Sequence, residues 1–108
     1  MNRKKVYIAS PYISGDTARN VRLQLEYHAV LIYEGFVPYA PLVAHFIELY
    51  IPKPYEVWME QDKEWVLACD CLLRIGGKSK GADKEASWAK EAGIPVFYSI
   101  AEVIKNYE

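Results

Sequence analysis

Apolar residues follow two rhythms along this chain: short unbroken runs and longer stretches with helical spacing. Residues 6–10 (VYIAS) are the first short run, entered after the basic triplet Arg3, Lys4 and Lys5 and ended by Pro11. Such a run predicts a strand buried on both faces. The loop 11–16 leads away from it, and Asp16 or Thr17 is placed to cap a helix over residues 18–34. Val21, Leu25, Ala29 and Ile32 give that helix an inward stripe, and Gly35 stops it. Residues 36–39 (FVPY) form a short second strand. Pro38 has no N–H to give a ladder, which assigns that strand to a sheet edge.

The next stretch is less regular. Pro41, Pro52 and Pro54 bracket the run LVAHFIELYI, which reads as a short helix or a lid loop, and its place after a strand end suits a site. A helix over residues 55–68 follows, with Trp58, Trp65, Val66 and Cys69 on one face. Asp62 falls in the middle of that apolar face, where a carboxylate needs a partner or a function. Residues 71–75 are another apolar run, broken by Gly76 and Gly77, with Gly81 closing the loop. The helix after it carries Ala82, Ala86 and Ala89 at a spacing that lets it lie close to a sheet. Glu85 sits beside that small-residue face, at its first turn. There the helix dipole is expected to keep it ionised. Gly93 and Pro95 end the helix, residues 96–98 form a last strand, and residues 100–107 a last helix.

Helices between strands imply right-handed crossovers and a parallel sheet. The expected fold is therefore α/β: one domain over residues 1–108, a doubly wound parallel sheet of flavodoxin or Rossmann type, with four to five strands in the order 2-1-3-4. The order reverses between strands 1 and 3, so ligands are expected beside the loops 11–16 and 76–81.

Composition narrows the function classes. At 108 residues the chain is sized for one modest core, and 52% apolar residues argue against disorder. A formal charge of −1 gives no sign of a nucleic acid partner. Nine Tyr and three Trp exceed what a small core takes, which points to a pocket or a subunit interface. Cys69 and Cys71 have one residue between them, unsuited to a zinc knuckle or a disulfide, and the two histidines lie far from both, so no metal is expected; no organic cofactor is expected either. With no signal peptide and no apolar run of bilayer length, the expectation is a cytoplasmic protein without a membrane partner.

Two acids then stand out, Glu85 and Asp62, carried by helices that meet at the switch point. Paired carboxylates suit glycosidic cleavage: one attacks the anomeric carbon while the other manages protons. The glycine loop adds backbone N–H groups, the Ser79 hydroxyl and the charges of Lys78 and Lys80, a set able to receive a phosphate or a sugar oxygen. It is not a Walker motif, because GKS at 77–79 lies within the loop and does not open the helix.

The segments VYIASPY, MEQDKEWVLACDCLLR and SKGADKEASWAKEAGIPVF resemble the nucleoside 2-deoxyribosyltransferase superfamily, which includes N-hydrolases of 2′-deoxynucleoside 5′-phosphates. The resemblance runs from residue 6 to residue 98. It implies Glu85 as the nucleophile that attacks C1′, Asp62 as the group that contacts the sugar and assists departure of the base, and Tyr7 as the residue orienting Glu85. It implies Ser79 as a 5′-phosphate contact. The residues themselves add further substrate-binding candidates: Gly77 and Gly81 of the glycine loop, Ser10 at the end of the first strand, Tyr12 to stack on a base or sugar, and His45 of the lid segment to touch a base. The resemblance also implies a homodimer or higher homo-oligomer. One departure stands out: Ser10, Pro11, Tyr12 and Ile13 occupy the place of the hydrolases' Gly-Ser-Ile-Arg-like phosphate loop, leaving Arg19 or Lys80 as substitute anchors. Nucleoside and nucleotide substrates therefore both stay open. Two alternatives also remain: a phosphoribohydrolase of the cytokinin-activating kind, and a non-catalytic nucleotide-binding module.

Overall fold

The computed structural model describes residues 3–108; residues 1 and 2 of the expected domain lie outside the described residues. Four strands, β1 (Lys5–Ala9), β2 (Val37–Tyr39), β3 (Cys71–Arg74) and β4 (Val96–Phe97), form one sheet in the order β2-β1-β3-β4. Every pairing is parallel, with Tyr7 opposite Tyr39 on one side and Leu72 on the other. β2 is an edge strand, as Pro38 requires, and four is the lower of the expected strand counts.

Residues alternate across the central strands. Val6 and Ile8 of β1 and Cys71 and Leu73 of β3 face a core closed by Leu31 of helix α1 (Thr17–Tyr33) and Val103 of helix α5 (Ile100–Tyr107). Tyr7, Ala9 and Leu72 face the opposite core, closed by Val66 of helix α3 (Tyr55–Ala68) and by Ala82, Ala86 and Ala89 of helix α4 (Lys80–Glu91). The alanine stripe lets α4 lie against β1 and β3 without a layer of long side chains between them. Cys71 and Cys69 belong to opposite cores and are both free. Side-chain caps define the helix starts: Asp16 accepts from Arg19 N, Ser79 from Ala82 N and Ser99 from Glu102 N. Each such cap is worth about 1 kcal/mol.

Several local expectations are corrected. On α1 the buried residues are Val21, Gln24 and Leu31, whereas Ala29 is exposed and Ile32 is 53% exposed. The helix is rotated so that the Gln24 amide reaches the end of β1, where both of its polar atoms are satisfied. The segment after β2 is helical, with a 3-10 turn (Pro41–Val43) running into α2 (Ala44–Tyr50). Gly81 does not close the glycine loop. Ser79 is the N-cap, so Gly81 already belongs to the first turn of α4 and Glu85 to the second. Trp65 does not join the core of α3; it is 45% exposed and stacks on Tyr39 with centroids 4.5 Å apart. No helix among the described residues is long and apolar enough to cross a membrane.

Candidate active site

The carboxyl ends of β1 and β3 open into a cavity of about 270 Å³, close to the lower limit for small-molecule sites. Its floor and walls come from the loop after β1, from α2, from one face of α3 and from the start of α4. On α3 the facing residues are Tyr55, Trp58, Met59 and Asp62. They share a face because their spacing follows the helical period, and they span ~10 Å at 1.5 Å per residue.

Glu85 lies at the inner end. It shares the inward face of α4 with Ala82, Ala86 and Ala89 and is only 6% exposed. The hydroxyl of Tyr7, itself fully buried on β1, donates to Glu85 Oε2 at 2.5 Å. Burial and the neighbouring carboxylate push the Tyr7 phenol well above its ordinary range, so Tyr7 stays a donor. The half-buried Asp62 approaches Glu85 from α3, and both side chains line the cavity. Burial, with Asp62 adding to it, pushes Glu85 up to about 8, against the Tyr7 hydrogen bond and the charge of Arg74. Burial likewise raises Asp62 to about 6, against its hydrogen bond to Glu85. The expectation that the helix dipole keeps Glu85 ionised is thus overturned. Glu85 lies one turn beyond the helix end, where the dipole has faded, and desolvation prevails. Burial thus favours the protonated form of both acids, more strongly at Glu85.

Other residues singled out from the sequence surround this pair. Ser10 lines the cavity, its hydroxyl accepting from Gln24 Nε2 at 2.8 Å. Tyr12 and His45 line it too, and the Tyr12 hydroxyl and His45 Nδ1 share a hydrogen bond of 2.6 Å that links the loop after β1 to α2. Ser79 and Gly81 line it at the start of α4. The Ser79 hydroxyl accepts from Ala82 N at 3.1 Å, which leaves its own proton available to a ligand. The N–H groups of Lys80 and Gly81 precede the first intrahelical bonds, as the opening turn of any helix leaves them. Gly77 is not part of the wall; its carbonyl accepts from Arg74 Nη2 at 2.8 Å. Neither suggested basic anchor is there: Lys80 is not in the wall, and Arg19 lines a separate shallow cleft at the start of α1. Among the described residues of the wall, Lys53 is the one lysine or arginine.

Residues 4–99 match the family described as Domain of unknown function (DUF7768). The chain belongs to that family. No curated protein matches the sequence. Among solved structures, the DUF7768 chain is similar in fold to the 2-deoxyribosyltransferase of the psychrotolerant bacterium Bacillus psychrosaccharolyticus. The TM-score is 0.66 at 17% identity, covering 96% of this chain and 92% of that one.

Three residues that shape the DUF7768 site were not singled out from sequence. Gln24 donates to Ile8 O and Ser10 Oγ and accepts from Leu42 N, joining α1, β1 and the 3-10 turn. Glu48 of α2 accepts from Trp58 Nε1 at 2.8 Å and from Lys53 N at 3.0 Å, fastening α2 to α3 along the cavity mouth. Arg74, at the end of β3, binds the carbonyls of Ile75 and Gly77 and pairs with Asp83 at 3.1 Å. Each is a polar residue on an otherwise apolar face or strand, the same signal that singled out Asp62. Gly76 has a positive φ of 80°, and a Cβ there would meet Pro11 Cδ at 2.6 Å. Glycine at 76 therefore allows the two loops of the switch point to touch.

Proposed function

We propose that this DUF7768 protein cleaves the N-glycosidic bond of a nucleoside or nucleoside 5′-monophosphate, with a glycosyl–Glu85 intermediate. The observation that carries this reading is the convergence of buried Glu85 and half-buried Asp62 on the inner end of one cavity, with the Tyr7 hydroxyl donating to Glu85. The shared fold with a 2-deoxyribosyltransferase supports it.

In this mechanism the proton passes to Asp62 and ionised Glu85 attacks C1′ from the face opposite the base. The C1′–N bond breaks, its electron pair stays on the base nitrogen, and Asp62 donates its proton there. Tyr7 holds the attacking carboxylate in line. Asp62, now ionised, takes a proton from water, or from the nitrogen of a second base, as that group attacks C1′ and releases Glu85. Two displacements at one carbon give net retention. Ser79 and the open N–H groups of Lys80 and Gly81 would hold the 5′ end of the sugar, and Tyr12 and His45 would border the base. The exposed apolar side chains of α2, Phe46, Ile47, Leu49 and Tyr50, support self-association beside the cavity mouth.

The test is incubation of the purified protein with a panel of nucleosides and nucleoside monophosphates, with chromatography for free base and, where a second base is added, for the exchanged nucleoside. Base release lost at least ~1,000-fold in Glu85→Gln is the expected outcome, the scale set by loss of a covalent nucleophile. Full activity in that variant would remove the mechanism. Release from ribonucleotide monophosphates alone would favour a phosphoribohydrolase, and binding without release a non-catalytic module.

A further inference from the structure

We infer that Arg74 is a positioning residue for this chemistry: it fixes the glycine loop and the first turn of α4 so that Glu85 meets Asp62, and it divides its charge between Asp83 and the acid pair. The role rests on the reading of Glu85 and Asp62 as the reacting groups.

Alternation along β3 puts Cys71 and Leu73 on the α1 and α5 face and Leu72 on the α3 and α4 face. Arg74 comes next, so its side chain leaves the strand on the same face as Leu72 and Tyr7, the face that carries Glu85. It is 9% exposed. Its planar, forked guanidinium donates from Nε to Asp83 Oδ1 at 3.1 Å, from Nη1 to Ile75 O at 2.5 Å and from Nη2 to Gly77 O at 2.8 Å. One side chain thereby ties together the strand end, the glycine loop and the opening turn of α4. The loop cannot fix its own shape. Gly76 takes a positive φ, and neither Gly76 nor Gly77 has a side chain with which to pack. Where the loop delivers the chain decides where α4 starts, and so where Glu85 lies.

Charge acts on Glu85 from every side. Tyr7 faces it from β1, Asp62 from α3 and Arg74 from β3; Tyr39 on β2 borders the same pair, and Asp83 lies on the same helix. Arg74 is the cation in this set, and it opposes the burial that keeps Glu85 protonated. Asp83, with a side chain 71% exposed, draws part of that charge away. Removing Arg74 and removing Asp83 are therefore expected to move the acid pair in opposite directions, and the Asp83 effect to vanish once Arg74 is gone.

The experiment is a ¹³C carboxyl NMR titration of the substrate-free full chain. Arg74→Gln is expected to raise the titration of Glu85 by about half a unit to one unit, the low end of the effect of a nearby opposite charge. Asp83→Asn is expected to lower it, and in the double variant the Asp83 effect disappears. Turnover should follow, with the pH profile of kcat/KM displaced in the same directions and kcat of Arg74→Gln lowered ~10- to 100-fold by misplacement of Glu85. Arg74→Lys keeps the charge without the fork, so it should titrate near wild type yet lose kcat. An unchanged titration in Arg74→Gln, or shifts of the same sign in both single variants, overturns the role of Arg74. If Arg74→Gln does not fold, Asp83→Asn and Arg74→Lys still decide: no downward shift in the first, or unaltered kcat in the second, overturns it. Wild-type protein that releases no base overturns the underlying reading and this role with it. Glu85-dependent release with an unmoved titration overturns this role alone.

Discussion

Replacing Glu85 with Gln should inactivate the protein and stabilise it at alkaline pH. Gln is close in shape to the protonated acid. Its carbonyl can accept from Tyr7 as Glu85 Oε2 does, and its amide can donate to Asp62. In the folded chain burial raises Glu85 from an ordinary 4.5 to about 8. Between those values the folded state binds the proton that the unfolded state releases, so stability is full below the unfolded value and falls as pH rises through the folded one. At ~1.4 kcal/mol for each pH unit, ionising Glu85 alone would cost up to ~5 kcal/mol. Because Asp62 shares the proton, about half of that, ~2–3 kcal/mol, belongs to Glu85 itself. For a domain of this size that corresponds to a melting temperature higher by ~10–20 °C. Urea denaturation of wild type and Glu85→Gln at about pH 5 and about pH 9 measures it. The two proteins should agree near pH 5 within ~0.5 kcal/mol, the ordinary scatter for a substitution without a structural cause. Near pH 9 the variant should be the more stable. Stability curves that run parallel across the whole range would refute the claim that this carboxyl is buried with its proton.

The same geometry sets the remaining outcomes. Wild-type kcat/KM should be bell-shaped with limbs near 6 and 8, the values of the coupled pair. Asp62→Asn should reduce the rate ~100- to 1,000-fold, remove the alkaline limb and move the acid limb down, because a proton donor and a repelling carboxylate are lost together. Tyr7→Phe removes the hydrogen bond that favours ionised Glu85, so the profile should move to higher pH, with a stability loss of ~1–3 kcal/mol in denaturant titration from an acceptor left unpaired. Gly76→Ala should destabilise by ~2 kcal/mol or more, since it combines a positive φ with a Cβ contact of 2.6 Å to Pro11. Gly77→Ala, with nothing within 4 Å of the added Cβ, is the near-neutral control.

Much of the scaffold could be read from sequence because its signals are local. Pro54 at the N-cap and the run after it set α3 at Tyr55–Ala68, and the alternation of runs and helices leads to the β2-β1-β3-β4 order. What escaped depends on contacts distant in sequence. Gln24 reads as a solvent-side residue until its amide is seen to serve Ile8, Ser10 and Leu42, 14 to 18 residues away. Ile32 reads as core until the rotation that buries Gln24 turns it outward. The proton on Glu85 escaped for the same reason. Helix position argues for an ionised acid, but the deciding burial comes from Tyr7, 78 residues earlier in the chain, and from α3. Arg74 falls inside the apolar run 71–75, and nothing local ties it to Asp83, which reads as an ordinary helix-end charge until their contact is seen.

The proposed chemistry makes opposed demands on two neighbouring acids: one must be ionised to attack and the other protonated to donate. Two ordinary exposed carboxylates would both be ionised at neutral pH, and no acid would remain. Two fully desolvated carboxyls without donors would both keep their protons, and no nucleophile would remain. Burial here raises both values, while Tyr7 and Arg74 oppose it at Glu85 alone. Of the two, Glu85 is raised further, so a proton must pass from Glu85 to Asp62 before attack. Positive charge growing at C1′ as the base departs favours ionised Glu85 and drives that transfer where the reaction needs it. The donor from β1 and the cation from β3 both act on the residue that must give up its proton, so the asymmetry between two chemically similar acids comes from the strands beneath them.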